Sequence, residues 1–344
     1  MAYRGVLEDV QTAVSLGISK RVPVFAISEE FDVKAAGLTH REYTFSPDKM
    51  AACRIEAVRK FDYDWSCGWP DDYLEFEPLG VKLTSTSENS PLAPCEQPLP
   101  DREMLRRMKI PNFHKDARLP AFLQVLQKLK KEFGETLCIT GRVAAPFTAV
   151  TLLYGIEKSI LLMMDDPGLF METAEFLAGL EAEWAKAQID AGANAIWVGD
   201  CVAGAAFISP RDYLKFALPG AASLNGKIRK HDAFSFYHAG ENSMDRLALM
   251  VDTMPDVLSV GGKIDLASAK KVIGGKVCIM GNMRGIEVLQ RGDTETVRRE
   301  TVKIMEAGKQ GGGYIFNSEE GIPYETPEEN MRMMIQTAKQ HGNY

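Results

Sequence analysis

The sequence predicts a (β/α)8 TIM barrel, and three observations predict it. Eight short, nearly continuously apolar runs recur along 344 residues, as strands buried on both faces should read. Stretches of helical period separate them, which implies parallel pairing through right-handed crossovers. No Pro/Gly/Ser-rich linker interrupts the chain, so 1–344 reads as a single barrel domain with an N-terminal helical extension over 1–20. A doubly wound open sheet is the runner-up, but no GxGxxG turn follows any strand.

Taken in order, the strands are expected at 22–27, 61–67, 137–141, 195–199, 234–238, 257–260, 277–280 and 314–317. Residues 85–100, rich in Ser, Pro, Asn and Glu, read as an excursion loop inside the second βα unit. Pro167 opens a helix that runs to about Ala191, where Gly192 supplies a stop. Ser209 is placed as an N-cap with Pro210 at the first helical position, and Thr326-Pro327-Glu328-Glu329 repeats that design before the last helix.

Composition excludes several classes. Hydrophobic residues make up 45% and charged residues 25%, the balance of a folded globular chain. Net charge is −7 and no stretch concentrates Lys and Arg, so neither nucleic acid nor an anionic membrane is an expected partner. No apolar run approaches the ~18 residues of a membrane span, and the first residues are too polar for a signal peptide. Six scattered cysteines with no CxxC pair complete the expectation of a cytoplasmic protein with reduced thiols.

In such barrels the working groups sit just after the strands, at the C-terminal mouth. That rule selects Trp69, Asp71 and Asp72 after strand two, Arg142 at strand three, and Asp200 and Cys201 after strand four. It also selects His238 and Glu241 at strand five, Lys263 after strand six, Asn282 and Arg284 after strand seven, and Glu319-Glu320 after strand eight. The aromatic residues Trp69, Phe147 and Trp197 lie on or near the same segments.

Several stretches carry a resemblance. Val22-Pro23-Val24 leading to Lys34-Ala35-Ala36-Gly37, Ala145-Pro146-Phe147-Thr148, Met280-Gly281-Asn282, and Gly321-Ile322-Pro323 with Thr326-Pro327-Glu328-Glu329-Asn330 resemble the uroporphyrinogen decarboxylase superfamily. That resemblance implies a (β/α)8 barrel and one of two chemistries: porphyrinogen decarboxylation or cobamide-dependent methyl transfer. The decarboxylases carry an arginine-bearing segment after their first strand, where this chain reads Ile27-Ser28-Glu29-Glu30-Phe31-Asp32. Acidic groups there repel a polyanionic substrate. Asp71 matches the decarboxylase aspartate, but Leu153 stands where its tyrosine is and Glu320 where its histidine is.

The methyltransferases that methylate a thiol such as coenzyme M hold zinc through His-x-Cys and a later Cys before Gly. Here those positions read His238-Ala239-Gly240 and Glu320-Gly321. The swap of sulfur for carboxylate gives a harder site, suited to polarising oxygen. The resemblance therefore implies an O-demethylase component that moves the methyl of an aromatic methyl ether to the Co(I) of a corrinoid protein. Metal candidates are His238, Cys201 and Glu320, with Asp200 and Glu241 as further ligand candidates. Asp71 and Glu241 are candidate proton donors beside His238 and Glu320. Trp69, Phe147 and Trp197 are expected to hold the ring, and Arg142, Lys263 and Asn282 its polar groups. Zn2+, a corrinoid-protein partner and a homodimer are the associated expectations. The alternatives are a methylcobamide:thiol transferase, a decarboxylase-like lyase, and a non-catalytic barrel that only binds a corrinoid partner.

Overall fold

The computed structural model describes residues 3–344; residues 1 and 2 of the predicted N-terminal extension lie outside the described residues. The extension contains the helix Val6–Val14. Nine strands follow: β1 Trp65–Cys67, β2 Lys82–Thr84, β3 Ala93–Glu96, β4 Cys138–Ala144, β5 Ala195–Gly199, β6 Phe234–His238, β7 Val257–Ser259, β8 Cys278–Met283 and β9 Tyr314–Ser318. Seven of them pair in parallel in the order β1-β4-β5-β6-β7-β8-β9. β2 and β3 form a separate antiparallel hairpin that takes in part of the excursion at 85–100.

Segment 22–27 fills the eighth place. Phe25 N–H donates to Phe316 O at 2.8 Å and Phe316 N–H to Pro23 O at 3.0 Å, which joins it to β9. Towards β1 the ladder is partly made by side chains. Val24 N–H donates to Asp64 Oδ2 at 2.8 Å, and Trp65 Nε1 donates to Ala26 O at 2.8 Å. Pro23, which has no N–H, and these substitutions explain why the segment closes the barrel without forming a regular strand.

Two expected boundaries move. Phe61 ends the helix Pro47–Phe61, and left-handed Asp62 turns the chain before β1, so that strand is shorter than 61–67. The last helix begins at Glu328 with Pro327 in the capping place, while the Thr326 hydroxyl is buried without a partner instead of capping it. Ser209 does cap its helix, accepting from Asp212 N–H at 3.1 Å. That helix then widens into a π turn at Tyr213–Ala217 just ahead of Pro219, whose missing N–H and ring disfavour regular α geometry. Among the described residues no single helix is long and apolar enough to cross a membrane.

Aromatic rings floor the lumen. Phe25 stacks on Trp65 with centroids 4.7 Å apart and meets Phe236 from the far wall at 6.1 Å; Trp65 lies 5.7 Å from Trp197. Trp65→Ala removes this wedge and the donor to Ala26 O, an expected loss of ~3–5 kcal/mol. The urea midpoint should fall with little change in the slope of the transition.

Candidate functional site

β6 ends in His238, whose imidazole stands above that floor, 4.6 Å from the Trp197 ring. Trp69 continues the wall at 6.2 Å from Trp197. His238 Nδ1 is 3.0 Å from Ser259 Oγ at the end of β7, and Nε2 is 3.1 Å from Glu320 Oε2 just past β9. Cys201 begins the turn after β5. One ligand atom from each of Cys201, His238 and Glu320 lies within 4.8 Å of the others.

Each member arrives from a different strand end, so the barrel's closure sets the geometry. Gly240 has φ 57°, and a Cβ there would collide with Glu320 Oε1. Glycine thus lets the Glu320 side chain fold back onto the imidazole. His238 is buried, whereas Cys201 and Glu320 are exposed. Burial alone would lower the imidazole pKa, but the facing Glu320 carboxylate and Cys201 sulfur raise it well above the ordinary value. Burial pushes Glu320 up, yet the imidazolium outweighs it and holds the carboxyl below its usual range.

One sulfur, one nitrogen and one carboxylate oxygen are donor types that zinc accepts, so these three residues could hold that ion. Ser259 supports that fit. A metal held there would take the place of the Nε2 proton, and Nδ1–H would then donate to the Ser259 hydroxyl 3.0 Å away and fix the ring.

The remaining candidates are placed differently. Asp71 Oδ1 accepts from Tyr73 N–H at 2.9 Å, and its Oδ2 holds Arg118 at 2.6 Å. Glu241 accepts from Ser243 N–H at 2.6 Å and Ala205 N–H at 2.8 Å, so its carboxylate pins two loops. Phe147 is fully buried against Phe170 in the helix layer, 5.3 Å between centroids, and does not line the mouth. Asp200 bonds Thr148 and Tyr237 in that same layer, outside the cluster. Glu319 turns from its neighbour to accept Gly262 N–H at 2.7 Å.

Lys263 and Asn282 border a different cavity of about 330 Å3, with Arg284 and Lys303. The Asn282 amide is spent on Gly261 O and Ile264 O, both at 2.9 Å. Arg142 is in register with Trp197 and therefore shares its inner face. It meets Asp72 at 3.0 Å and Glu75 at 3.4 Å.

Two groups escaped the strand-end rule. Ser259 is an ordinary strand residue with no motif around it. Glu75 follows the Asp71-Asp72 turn and is buried; burial drives its carboxyl up to about 7 against the pull of Arg142. Glu181, from the helix Pro167–Asp190, is raised well above the carboxylate range by burial and by Glu75. One guanidinium facing two buried carboxyls keeps a proton on that pair at neutral pH. A lone Glu one turn beyond an Asp-Asp pair was the available signal.

Residues 12–341 match the model of the family described as uroporphyrinogen decarboxylase (URO-D). Similar curated proteins include the uroporphyrinogen decarboxylase of Gloeobacter violaceus, 27% identical over 320 residues, covering 87% of this chain and 86% of that protein. That of Nostoc punctiforme is 28% identical over 320 residues, covering 90% and 87%. Among solved structures, a methyltransferase from Methanosarcina mazei superposes with TM-score 0.88 over 99% of both chains at 19% identity. A B12-independent methionine synthase from Shewanella sp. W3-18-1 gives TM-score 0.55 over 86% of each at 13% identity. At those identities the two structures speak to the fold.

Proposed function

The chain belongs to the uroporphyrinogen decarboxylase (URO-D) family, and on that premise we propose that it is a methyltransferase moving the methyl group of an aromatic methyl ether to the Co(I) of a corrinoid protein. The observation that carries this reading is the Cys201–His238–Glu320 cluster at three strand ends beneath the Trp69–Trp197 wall. Gly240 supports it against the thiol-transferase alternative. The Glu320 carboxylate occupies the space into which a side chain at 240 would project, so carboxylate and glycine replace the two cysteines together.

Zinc bound by these three residues would supply a Lewis acid for an ether oxygen. Trp69 and Trp197 offer faces for an aryl ring. Arg142 is the anchor for a ring carboxylate. Its partner Asp72 has a side chain 57% exposed, and such a screened pair yields to a substrate anion. In the transfer the methyl C–O bond breaks, its electron pair leaves on the aryl oxygen, and the Co(I) lone pair forms the new bond to carbon. A phenolate is a tolerable leaving group because phenols ionise near pH ~10, and protonation makes it a better one.

Asp71 and Glu241 are bound up in an ion pair and loop bonds, so the proton source we assign is Glu75, whose carboxyl burial raises to about 7 and which shares a proton with Glu181 beside Arg142. Glu75→Gln is expected to slow demethylation of unactivated ethers by ~10²-fold, the yield of one positioned acid. The loss should shrink for ethers of acidic phenols, which leave without a proton. A loss indifferent to phenol acidity removes Glu75 from the proton step.

A direct test of the function incubates the protein with Co(I) cobalamin and a methoxylated phenol or benzoate and follows methylcobalamin absorbance. The relatives' names favour a second reading, porphyrinogen decarboxylation. Against it, segment 29–32 places three carboxyl groups after the first strand, and Asp32 already consumes Arg54 at 2.6 Å within the core. Carbon dioxide release from uroporphyrinogen, with no methylcobalamin formed, decides for that reading.

A further inference from the structure

Behind the wall that carries the cluster lies a buried polar chain that the methyl-transfer chemistry leaves unused. Asp200 directly precedes Cys201, and Tyr237 directly precedes His238. Asp200 Oδ2 accepts the Tyr237 hydroxyl at 2.5 Å, and Oδ1 accepts the Thr148 hydroxyl from helix Pro146–Tyr154 at 2.8 Å. Asp200 N–H also donates to His238 O at 2.7 Å. The Tyr213 hydroxyl, in the π turn, lies 3.4 Å from that of Tyr237.

All four side chains are buried or nearly so, and among the described residues no Lys, Arg or His pairs with Asp200. A buried carboxylate held only by hydroxyls is costly for the fold, and an apolar pair of similar shape would serve stability as well or better. Its use must lie in what it positions. Cys201 is exposed, at the start of a short 3-10 turn, and Asp200 just before it carries both the backbone bond to His238 O and the side-chain bond to Tyr237. Ligand constellations tolerate displacements of only ~0.5 Å.

We propose that the Asp200–Tyr237 hydrogen bond is a positioning device: it ties the residues before two ligands to each other and so fixes Cys201 Sγ against His238 Nε2. Thr148 anchors the pair to the helix layer. The inference rests on the metal reading of the cluster given above.

The test is Co2+ titration of chelator-stripped protein, read by the near-ultraviolet thiolate-to-cobalt charge-transfer band, well below the unfolding temperature. Tyr237→Phe is expected to weaken Co2+ binding by ~10–100-fold, the usual effect of losing an outer partner of a ligand, and to diminish the thiolate band. Tyr213→Phe, which keeps the ring and removes a hydroxyl whose hydrogen-bond partner is that of Tyr237, should leave the affinity unchanged. Should Tyr237→Phe fold poorly, Thr148→Val removes the other donor to Asp200 and should weaken binding in the same direction. A purely structural role lowers the melting temperature and leaves affinity intact; that result overturns the inference alone. Failure of the wild-type protein to bind Co2+ overturns the metal reading and this inference with it.

Discussion

His238→Ala is expected to strip the protein of bound metal and to lower methyl transfer by ~10³-fold or more, since Lewis-acid help is worth several kcal/mol and each ~1.4 kcal/mol is a decade. The size follows from where the imidazole stands. It lies between Ser259 and Glu320, with Cys201 also in reach, so its removal deletes one ligand and the group that holds the Glu320 carboxylate in place. The facing carboxylate and thiol would be left with no cation between them. Metal stoichiometry of the purified variant and methylcobalamin formation are the two measurements.

Ser259→Ala provides the graded comparison. It leaves all three ligands and removes only the hydroxyl that orients the ring, so a ~10-fold loss of metal affinity is expected. Full metal content and undiminished transfer in His238→Ala would remove the cluster from the mechanism altogether.

The barrel was legible because its strands are buried on both faces. Continuous apolar runs such as 195–199 and 277–280 cannot be confused with half-exposed strands, and helix punctuation such as Ser209-Pro210 is local chemistry. That Cys201, His238 and Glu320 meet at one rim was legible for a related reason: a strand end in a closed barrel faces the mouth whatever the loops do. Side-chain direction beyond the first loop residue was not legible. Asp71 stood as a candidate proton donor because nothing nearby in sequence shows Arg118, 47 positions on, closing over it. Glu241 and Glu319 were equally ambiguous, since a carboxylate that pins a backbone N–H reads the same as one that faces a substrate.

Phe147 illustrates the limit on helices. It follows Pro146 at the start of a helix, and its turn of the helix points it at Phe170 instead of the lumen. Ser259 and Glu75 lacked any motif, and only the closure of β7 against β6 and of segment 71–79 against Arg142 gives them partners.

Gly240→Ala is expected to cost the site ~10²–10³-fold in methyl transfer through displacement of Glu320, on the same Lewis-acid scale. Two separate effects are built into this one methyl group. The backbone at 240 is left-handed, φ 57°, so any side chain there carries strain of roughly 1–2 kcal/mol. The added Cβ also collides with Glu320 Oε1, so the carboxylate must swing away from His238. A double-mutant cycle separates them. In a Glu320→Ala background the strain persists and the collision does not, so the stability loss should shrink there to the backbone strain alone. The loss of metal affinity should appear only where Glu320 is present. Equal affinity losses with and without Glu320 would assign the whole effect to the backbone and deny the carboxylate any share in holding the metal.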